Sequence, residues 1–158
     1  MRTNCLPRVC APSLLVLALL LCGCDGSPSG ASSSDSTADR VDEVAQRLQG
    51  TWLREFKEAG IQSRRILRLE SDGAFRETVR IIDPAGVATE HLHEGTWLYD
   101  GTNLKRKYTT IDGHPPSRLN PPFVTFAIEF ESRNEFVGID HIHGNRIRYA
   151  RVSPETTP

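Results

Sequence analysis

Cysteine is missing from most of this sequence. All four cysteines, Cys5, Cys10, Cys22 and Cys24, lie near the start of a chain of 158 residues. No disulfide can therefore form within the rest of the chain, which excludes the small disulfide-stapled scaffolds as well as a thiol nucleophile or thiolate metal site there. Any fold after Cys24 has to be held together by its apolar core.

Long apolar runs are also scarce. The one that exists covers residues 11–21, which is shorter than the roughly 20 residues that a membrane-spanning helix needs. Arg2 and Arg8 precede it and small residues follow it, which is the layout of a secretory signal peptide. We expect this segment to be removed on export.

Neither sign of charge dominates, since 19 basic and 20 acidic residues leave a formal net charge of −1. That balance gives no general attraction to nucleic acid, and no basic stretch is interleaved with aromatic residues. The sequence also lacks a nucleophile elbow, a glycine-rich phosphate loop and a zinc-protease motif. We predict no nucleic-acid partner, no cofactor and no enzymatic activity.

The segment at the end of the apolar run is more specific. Residues 21–24 read Leu-Cys-Gly-Cys, which resembles the lipobox of bacterial lipoproteins. The resemblance implies cleavage after Gly23, lipidation of Cys24, and a cell-envelope protein anchored in the membrane with its domain on the periplasmic or other extracytoplasmic side. Cleavage by ordinary signal peptidase is the alternative. Asp25 resembles an inner-membrane retention signal, and the choice between inner and outer membrane stays open.

The residues after Cys24 are rich in serine and glycine, with no aliphatic side chain larger than alanine before residue 40. Such a composition cannot bury enough apolar surface to offset the entropy of ordering. We therefore divide the chain into a signal peptide at 1–23, Cys24 with a flexible tether at 24–39, one folded domain at 40–153 and a disordered tail at 154–158.

The domain is predicted to begin with one short helix and to continue as strands. Val41, Val44 and Leu48 recur at helical spacing, with Asp39 placed to cap the helix and Gly50 to end it. Beyond the helix, short alternating apolar runs are separated by turn residues. Strands joined by short turns pair antiparallel and closure removes their edges, so we predict an all-β, eight-stranded up-and-down barrel. The strands are expected at 51–58, 62–70, 74–82, 87–99, 102–111, 123–131, 135–143 and 146–152.

A Gly-x-Trp that opens the first strand after a short helix, and an arginine late in the last strand, resemble the lipocalin-like, or calycin, barrels. The family's first-strand tryptophan closes one end of the barrel and the arginine packs across it, which implies these roles for Trp52 and Arg151. A short length, no disulfide and a second Gly-Thr-Trp place the chain with the small bacterial lipocalin-like lipoproteins. We expect Trp52 and Trp97 to plug one end from opposite walls.

Turn lengths predict which side chains face the barrel interior, because a slip of one residue reverses a strand. A three-residue turn at 71–73 pairs Leu69 with Phe75 and Leu67 with Glu77. Two-residue turns at 100–101 and 144–145 would pair Trp97 with Leu104 and His141 with Arg148. The interior residues proposed to contact a ligand are Arg65, Glu77, His91, His93, Arg106, Tyr108 and Tyr149.

Two readings of this interior remain open. Arginines and tyrosines among aromatic side chains suit a small amphipathic ligand with an anionic head. Alternatively, Arg65 pairs with Glu77 and the barrel is filled, in which case the protein is an envelope interaction or structural module that binds a protein partner. Residues 112–122, rich in proline, would then lie at the mouth as a docking loop or a lid.

The histidines offer a weaker metal hypothesis. His91 with His93, and His141 with His143, form two His-x-His pairs, and all five histidines are expected at the end of the barrel opposite the tryptophans. The predicted turn at 144–145 makes His141 and His143 face solvent, so four ligands would not converge. His91 and His93 remain weak metal candidates.

Overall fold

The protein forms a closed barrel of eight antiparallel strands, preceded by one helix, in a computed structural model that describes residues 35–117 and 122–158. The strands follow one another around the barrel in chain order and β1 pairs with β8, so the predicted fold class is confirmed. The elements are α1 (Asp35–Leu48), β1 (Gly50–Glu58), β2 (Ile61–Leu69), β3 (Ala74–Ile82), β4 (Ala88–Tyr99), β5 (Asn103–Ile111), β6 (Phe123–Phe130), β7 (Glu135–Asp140) and β8 (Arg146–Arg151).

The predictions about the start of the chain mostly lie outside the described residues. The signal peptide, the lipidation of Cys24 and the tether up to residue 34 all belong to that part. Within the described part no helix is long and apolar enough to cross a membrane. The helix begins at Asp35 rather than near Asp39, so the last residues of the expected tether are helical.

The register between β2 and β3 agrees with the prediction. Leu69 lies opposite Phe75 and Leu67 opposite Glu77. Gly73 adopts the left-handed conformation with φ of 83°, which a three-residue hairpin turn requires. The side chains of Leu67, Leu69 and Phe75 are all buried as a result.

The register between β4 and β5 differs from the prediction by two residues. Trp97 lies opposite Arg106, not Leu104. The turn is wider than two residues because the Asp100 carboxylate accepts a hydrogen bond from the backbone N–H of Asn103 at 2.7 Å. An even shift leaves the facing unchanged, and the Leu104 and Arg106 side chains are buried.

The turn between β7 and β8 is also wider than expected. Strand β7 ends at Asp140, whose carboxylate accepts a hydrogen bond from the N–H of Ile142 at 2.7 Å. Arg148 therefore lies opposite Val137, and the predicted pairing of His141 with Arg148 is wrong. The shift is again even.

The two Gly-Thr-Trp segments have glycine for different reasons. Gly50 has a φ of 120°, and a Cβ there would lie 2.5 Å from Nη1 of Arg151. Gly95 lies at a β-bulge, where a Cβ would lie 2.0 Å from the carbonyl oxygen of Lys107. Each glycine allows a close approach of a different neighbour, which accounts for the repeat without an internal duplication.

Both tryptophans belong to one buried core cluster at the helix-covered end of the barrel. The indole N–H of Trp52 donates to the carbonyl of Leu48 at 2.7 Å, and that of Trp97 donates to the carbonyl of Glu70 at 2.9 Å. Each indole N–H therefore satisfies a backbone carbonyl where the chain reverses direction, while the apolar part of the ring fills the core. This end is called the closed end below.

The other end is uneven, because β1 continues well past its contact with β8. Strands β1 and β8 share only the pairs Trp52–Arg151 and Leu53–Ala150, whereas β1 pairs with β2 along its whole length. The far halves of β1, β2 and β3 thus project as a wall beyond the closed ring. We call this open end the mouth.

Residues 154–158 were expected to be disordered, but the structure places them against the outside of the barrel. Arg68 on β2 donates a hydrogen bond to the carbonyl of Pro154. Thr156 and Pro158 border the same hollow as Ile66, an outward-facing residue that is nonetheless buried. The tail is ordered because it covers apolar surface that the barrel leaves exposed.

Candidate functional site

The predicted interior residues converge on one buried carboxylate, Glu77 on β3. Its side chain is fully buried and lies 3.1 Å from the guanidinium of Arg106 on β5. The second carboxylate oxygen lies 3.1 Å from Nδ1 of His93 and 3.5 Å from Nη1 of Arg65. The Glu77 cluster, as we call these four residues, therefore links β2, β3, β4 and β5 across the interior.

The charges of this cluster depend on one another. Burial on its own raises the pKa of Glu77, but the charge of Arg106 and the hydrogen bond from His93 outweigh it and hold that pKa well below its usual range. Burial lowers the pKa of Arg106, and the charge of Glu77 more than reverses this. Both members of the pair are therefore ionised, and each buried charge is compensated by the other.

Aromatic side chains fill the interior between this cluster and the closed end. Phe136 stacks on Tyr149 with ring centroids 4.7 Å apart and contacts Trp52 edge-on at 4.6 Å. Tyr108 packs edge-on against Phe75 at 5.2 Å, and burial raises its pKa to about 12. Tyr108 and Tyr149, predicted as ligand contacts, thus serve as packing in this structure.

Toward the mouth, the inner surface is less completely filled. A hollow of about 250 Å³ lies on the inner faces of the projecting strands. We call it the mouth hollow; its lining residues are Arg54, Phe56, Ile61, Ser63, Arg65 and Ile81. Arg65 connects it to the Glu77 cluster, so of the predicted ligand residues Arg65 is the one that borders this hollow.

The mouth hollow carries more positive charge than its carboxylates balance. Arg54 lies directly opposite Arg65 in the β1–β2 ladder, and like charges in that position repel. Arg65 reaches Glu77, which Arg106 already shares. Among the residues that the structure describes, Arg54 has no carboxylate partner. The hollow therefore combines an uncompensated cation with apolar side chains.

The histidines are separated by their partners. Nδ1 of His91 lies 2.8 Å from the Asp112 carboxylate, at the rim, whereas His93 points to Glu77. His141 contacts Asn103 on the outside of the barrel. In the described part of the chain, no group of three or more histidine, cysteine, aspartate or glutamate side chains is arranged to hold a metal ion. His91 and His93 do not share a site.

Arg151 lies across Trp52, with its guanidinium carbon 4.2 Å from the ring centroid. It also donates hydrogen bonds to the carbonyls of Gln49 at 2.8 Å and Arg47 at 2.5 Å. The Arg47 carbonyl lies in the last turn of α1 and that of Gln49 just after it, where helical carbonyls lack intrahelical partners. Arg151 therefore holds the helix to the closed end while covering the tryptophan.

Comparison with known proteins adds no family to this geometry. No protein-family model matches the chain, and no match is found among curated proteins.

Sequence reasoning missed Arg54 as a site residue. The signal was available, because Arg54 lies two positions after Trp52 in the same strand and so shares its inward face. Phe56, two positions further along, faces inward by the same alternation, but the projection of β1 beyond β8 leaves it 43% exposed. How far a strand continues past its neighbour depends on barrel tilt, which alternation of apolar residues does not reveal.

Proposed function

We propose that this protein is a lipid-anchored, lipocalin-like binding protein of the bacterial cell envelope, without enzymatic activity. Its ligand is a small amphipathic molecule with an anionic head, held in the mouth hollow. The observation that carries the proposal is the Arg54–Arg65 pair, which faces the hollow with only a shared carboxylate to balance it. Repulsion between two cross-strand arginines is relieved when an anion lies between them.

The apolar part of the ligand has a surface to cover. Phe56 is 43% exposed and Ile61 40% exposed, although both lie on the inner face of the projecting wall. Covering them removes apolar area from water, at roughly 25 cal/mol per Å². The head group would then contact Arg54 and Arg65 while the chain lies along these two side chains.

The size of the hollow limits the ligand. Its volume of about 250 Å³ lies just below the range of roughly 300–1,000 Å³ that is typical of pockets for drug-sized molecules. The aromatic packing below it leaves little room for deeper entry. A ligand with one short apolar chain fits this space better than a lipid with two long chains.

Decanoate is a suitable probe, with decanol as the uncharged comparison. We expect Arg54→Gln to weaken decanoate binding about tenfold, because it removes one charge-assisted hydrogen bond. Arg76→Gln is the matched control, since Arg76 lies on the outer face and pairs with Glu94. Calorimetric titration of the full chain in detergent measures both. Equal binding by wild type and Arg54→Gln, or tighter binding of decanol than decanoate, would contradict the proposal.

The membrane anchor has its own test. The Leu-Cys-Gly-Cys segment supports lipidation of Cys24, and three acyl chains would anchor the protein stably where one would not. Cys24→Ala should abolish incorporation of labelled palmitate and block cleavage after Gly23. Recovery of a cleaved, unlabelled wild-type protein in the soluble fraction would instead indicate ordinary secretion.

A second candidate is an envelope interaction module with a filled barrel. The stacked rings of Phe136 and Tyr149 and the buried Glu77–Arg106 pair favour it, because they fill the interior with the protein's own side chains. Native mass spectrometry of the protein purified from its own host separates the two. A bound small molecule supports the first candidate, and an empty protein that also fails to bind decanoate supports the second.

A further inference from the structure

A second cationic cleft lies at the closed end, far from the mouth hollow along the barrel wall. It has a volume of about 570 Å³ and lies between the last turns of α1, the turn that joins β6 to β7, and the end of β8. We call it the arginine cleft; the residues that line it are Glu43, Arg47, Arg133, Asn134 and Arg151.

The three guanidinium groups are held by different means. Arg151 is fixed over Trp52 and by the carbonyls at the end of α1. The guanidinium carbon of Arg47 lies over the ring of Phe130, 4.0 Å from its centroid. Arg133 projects from the turn and is exposed. The cleft thus presents three cationic side chains. One is fixed by hydrogen bonds, one packs over an aromatic ring, and one extends from an exposed turn.

Carboxylates do not balance these charges. In the part of the chain that the structure describes, neither Arg47 nor Arg133 has a carboxylate within ion-pair distance. The nearby Glu131 and Glu135 are both taken by Arg148 on the outer wall, at 3.1 and 3.7 Å. Glu43 is the one acidic residue of the cleft lining, so the lining carries an excess of two positive charges.

The arrangement is electrostatically unfavourable when the cleft holds only water. Burial, and then the neighbouring charge of Arg47, lowers the pKa of Arg151. Neither arginine can move away at no cost, because Arg151 holds the helix and Arg47 packs on Phe130. An anion within the cleft would relieve this repulsion.

We propose that the arginine cleft binds a phosphate group, either of free phosphate or of a phosphate monoester headgroup. A phosphate monoester carries about −1.5 to −2 charges at neutral pH, which matches the excess charge of the lining, whereas a carboxylate matches half of it. Guanidinium forks donate paired N–H groups in the geometry that phosphate oxygens accept. Asn134 supplies a neutral amide at the same cleft.

The test uses the full chain in detergent micelles, with the arginine Nε–Hε resonances as the readout. Inorganic phosphate should shift those of Arg47 and Arg133 saturably, with half-saturation on the order of 1 mM or below. Sodium chloride at equal ionic strength serves as the salt control. Arg133→Gln should weaken binding about tenfold, and Arg80→Gln, which removes an exposed arginine of the outer wall, should leave it unchanged.

A second arm replaces inorganic phosphate by phosphatidic acid doped into the micelles. Saturable shifts with inorganic phosphate identify free phosphate as sufficient, and shifts with phosphatidic acid alone identify a lipid headgroup as the source. Either result supports the cleft if Arg133→Gln weakens it. Absence of shifts in both arms overturns the proposal, and so does binding that Arg80→Gln weakens as much as Arg133→Gln.

The proposals for the arginine cleft and for the mouth hollow can be contradicted independently of each other. Arg133→Gln should leave decanoate binding unchanged, and Arg54→Gln should leave phosphate binding unchanged, because the two sites share no residue. Arg47→Gln is a second variant for the cleft. Its circular dichroism spectrum shows whether the loss of the contact with Phe130 affects folding.

Discussion

Glu77 is the residue on which the interior polar network depends. Its carboxylate pairs with Arg106 and Arg65, and it accepts a hydrogen bond from Nδ1 of His93. Removal of one partner of a buried ion pair leaves the other charge uncompensated in a medium that solvates it poorly. Its effect on stability should therefore exceed that of the exposed ion pairs on the outer wall.

We expect Glu77→Gln to lower the free energy of unfolding by about 3–5 kcal/mol, since Arg106 would remain charged and buried. Urea unfolding monitored by tryptophan fluorescence measures this. Glu55→Gln is the control, because Glu55 and Arg64 form a largely exposed pair that contributes about 0–1 kcal/mol. Similar losses for both variants would show that Glu77 is not the centre of the network.

At the scale of residues, the inward positions could be predicted but some partners could not. Alternation and the 71–73 turn placed Arg65 and Glu77 inside, and alternation with the turn at 100–101 placed Arg106 inside. The contact of Glu77 with Arg106 joins β3 to β5, which are not neighbours in the sheet. Such a contact depends on the curvature of the closed barrel, and no turn length encodes it.

Among the elements, α1 is bound to the barrel in part by a residue from the far end of the chain. Arg151 on β8 donates to the carbonyls of Arg47 and Gln49 while it covers Trp52. A helix of this length is marginal in water by itself, and tertiary contacts have to supply its stability. Arg151 thus connects the order of the helix to the completion of the last strand.

Arg151→Gln should loosen the attachment of α1 without unfolding the barrel. We expect amide hydrogens of α1 to exchange at least about tenfold faster, which corresponds to a local loss of about 1.4 kcal/mol or more. Hydrogen exchange followed by mass spectrometry measures this, with Arg146→Gln as control because Arg146 pairs with Glu129 on the outside. Equal protection of α1 in both variants would show that Leu48 and Val44 hold the helix unaided.

At the scale of elements, strand positions were predictable and turn widths were not. Seven strands begin and end within one residue of the expected positions, and β7 ends earlier, at Asp140. Asp100 and Asp140 each widen a turn with a side-chain hydrogen bond to the backbone. Aspartate fits both narrow and wide turns, so residue type did not distinguish them.

The stability of the whole molecule should vary with pH in a predictable direction. The pKa of Glu77 is lowered on folding from its ordinary value of 4.5. Its stabilising effect is therefore complete above pH 4.5 and is lost as the pH falls toward the folded-state pKa. Tyr108, whose pKa burial raises from 10.0 to about 12, has the opposite sign: its contribution is present below pH 10 and is lost as the pH rises toward 12.

We expect the contribution of Glu77 and Tyr108 to the urea midpoint to be nearly constant between pH 5 and pH 9. The midpoint should fall below pH 5 as Glu77 is protonated and above pH 9 as Tyr108 is favoured to ionise in the unfolded chain. The difference between wild type and Glu77→Gln should narrow as the pH decreases below about 4.5, because protonation removes the same charge. Tyr108→Phe should reduce the loss above pH 10. If the urea midpoints of wild type and Glu77→Gln fell in parallel as the pH decreases below about 4.5, ionisation of Glu77 would not be the cause of the acid destabilisation.

The short contact between β1 and β8 determines how this molecule comes apart. The barrel is closed by the pairs Trp52–Arg151 and Leu53–Ala150. These pairs join parts of the chain that are far apart in sequence: the neighbouring hydrogen bond from Arg151 to Gln49 spans 102 positions. All other neighbouring strands are consecutive in the chain, so the loops that join them are shorter and cost less entropy to close. We therefore expect the first opening to be a parting of the two terminal strands, which turns the cylinder into a curled sheet with its hairpins intact. Amide hydrogens along β2, β3 and β4 should survive that opening and exchange last, which hydrogen exchange followed by mass spectrometry measures.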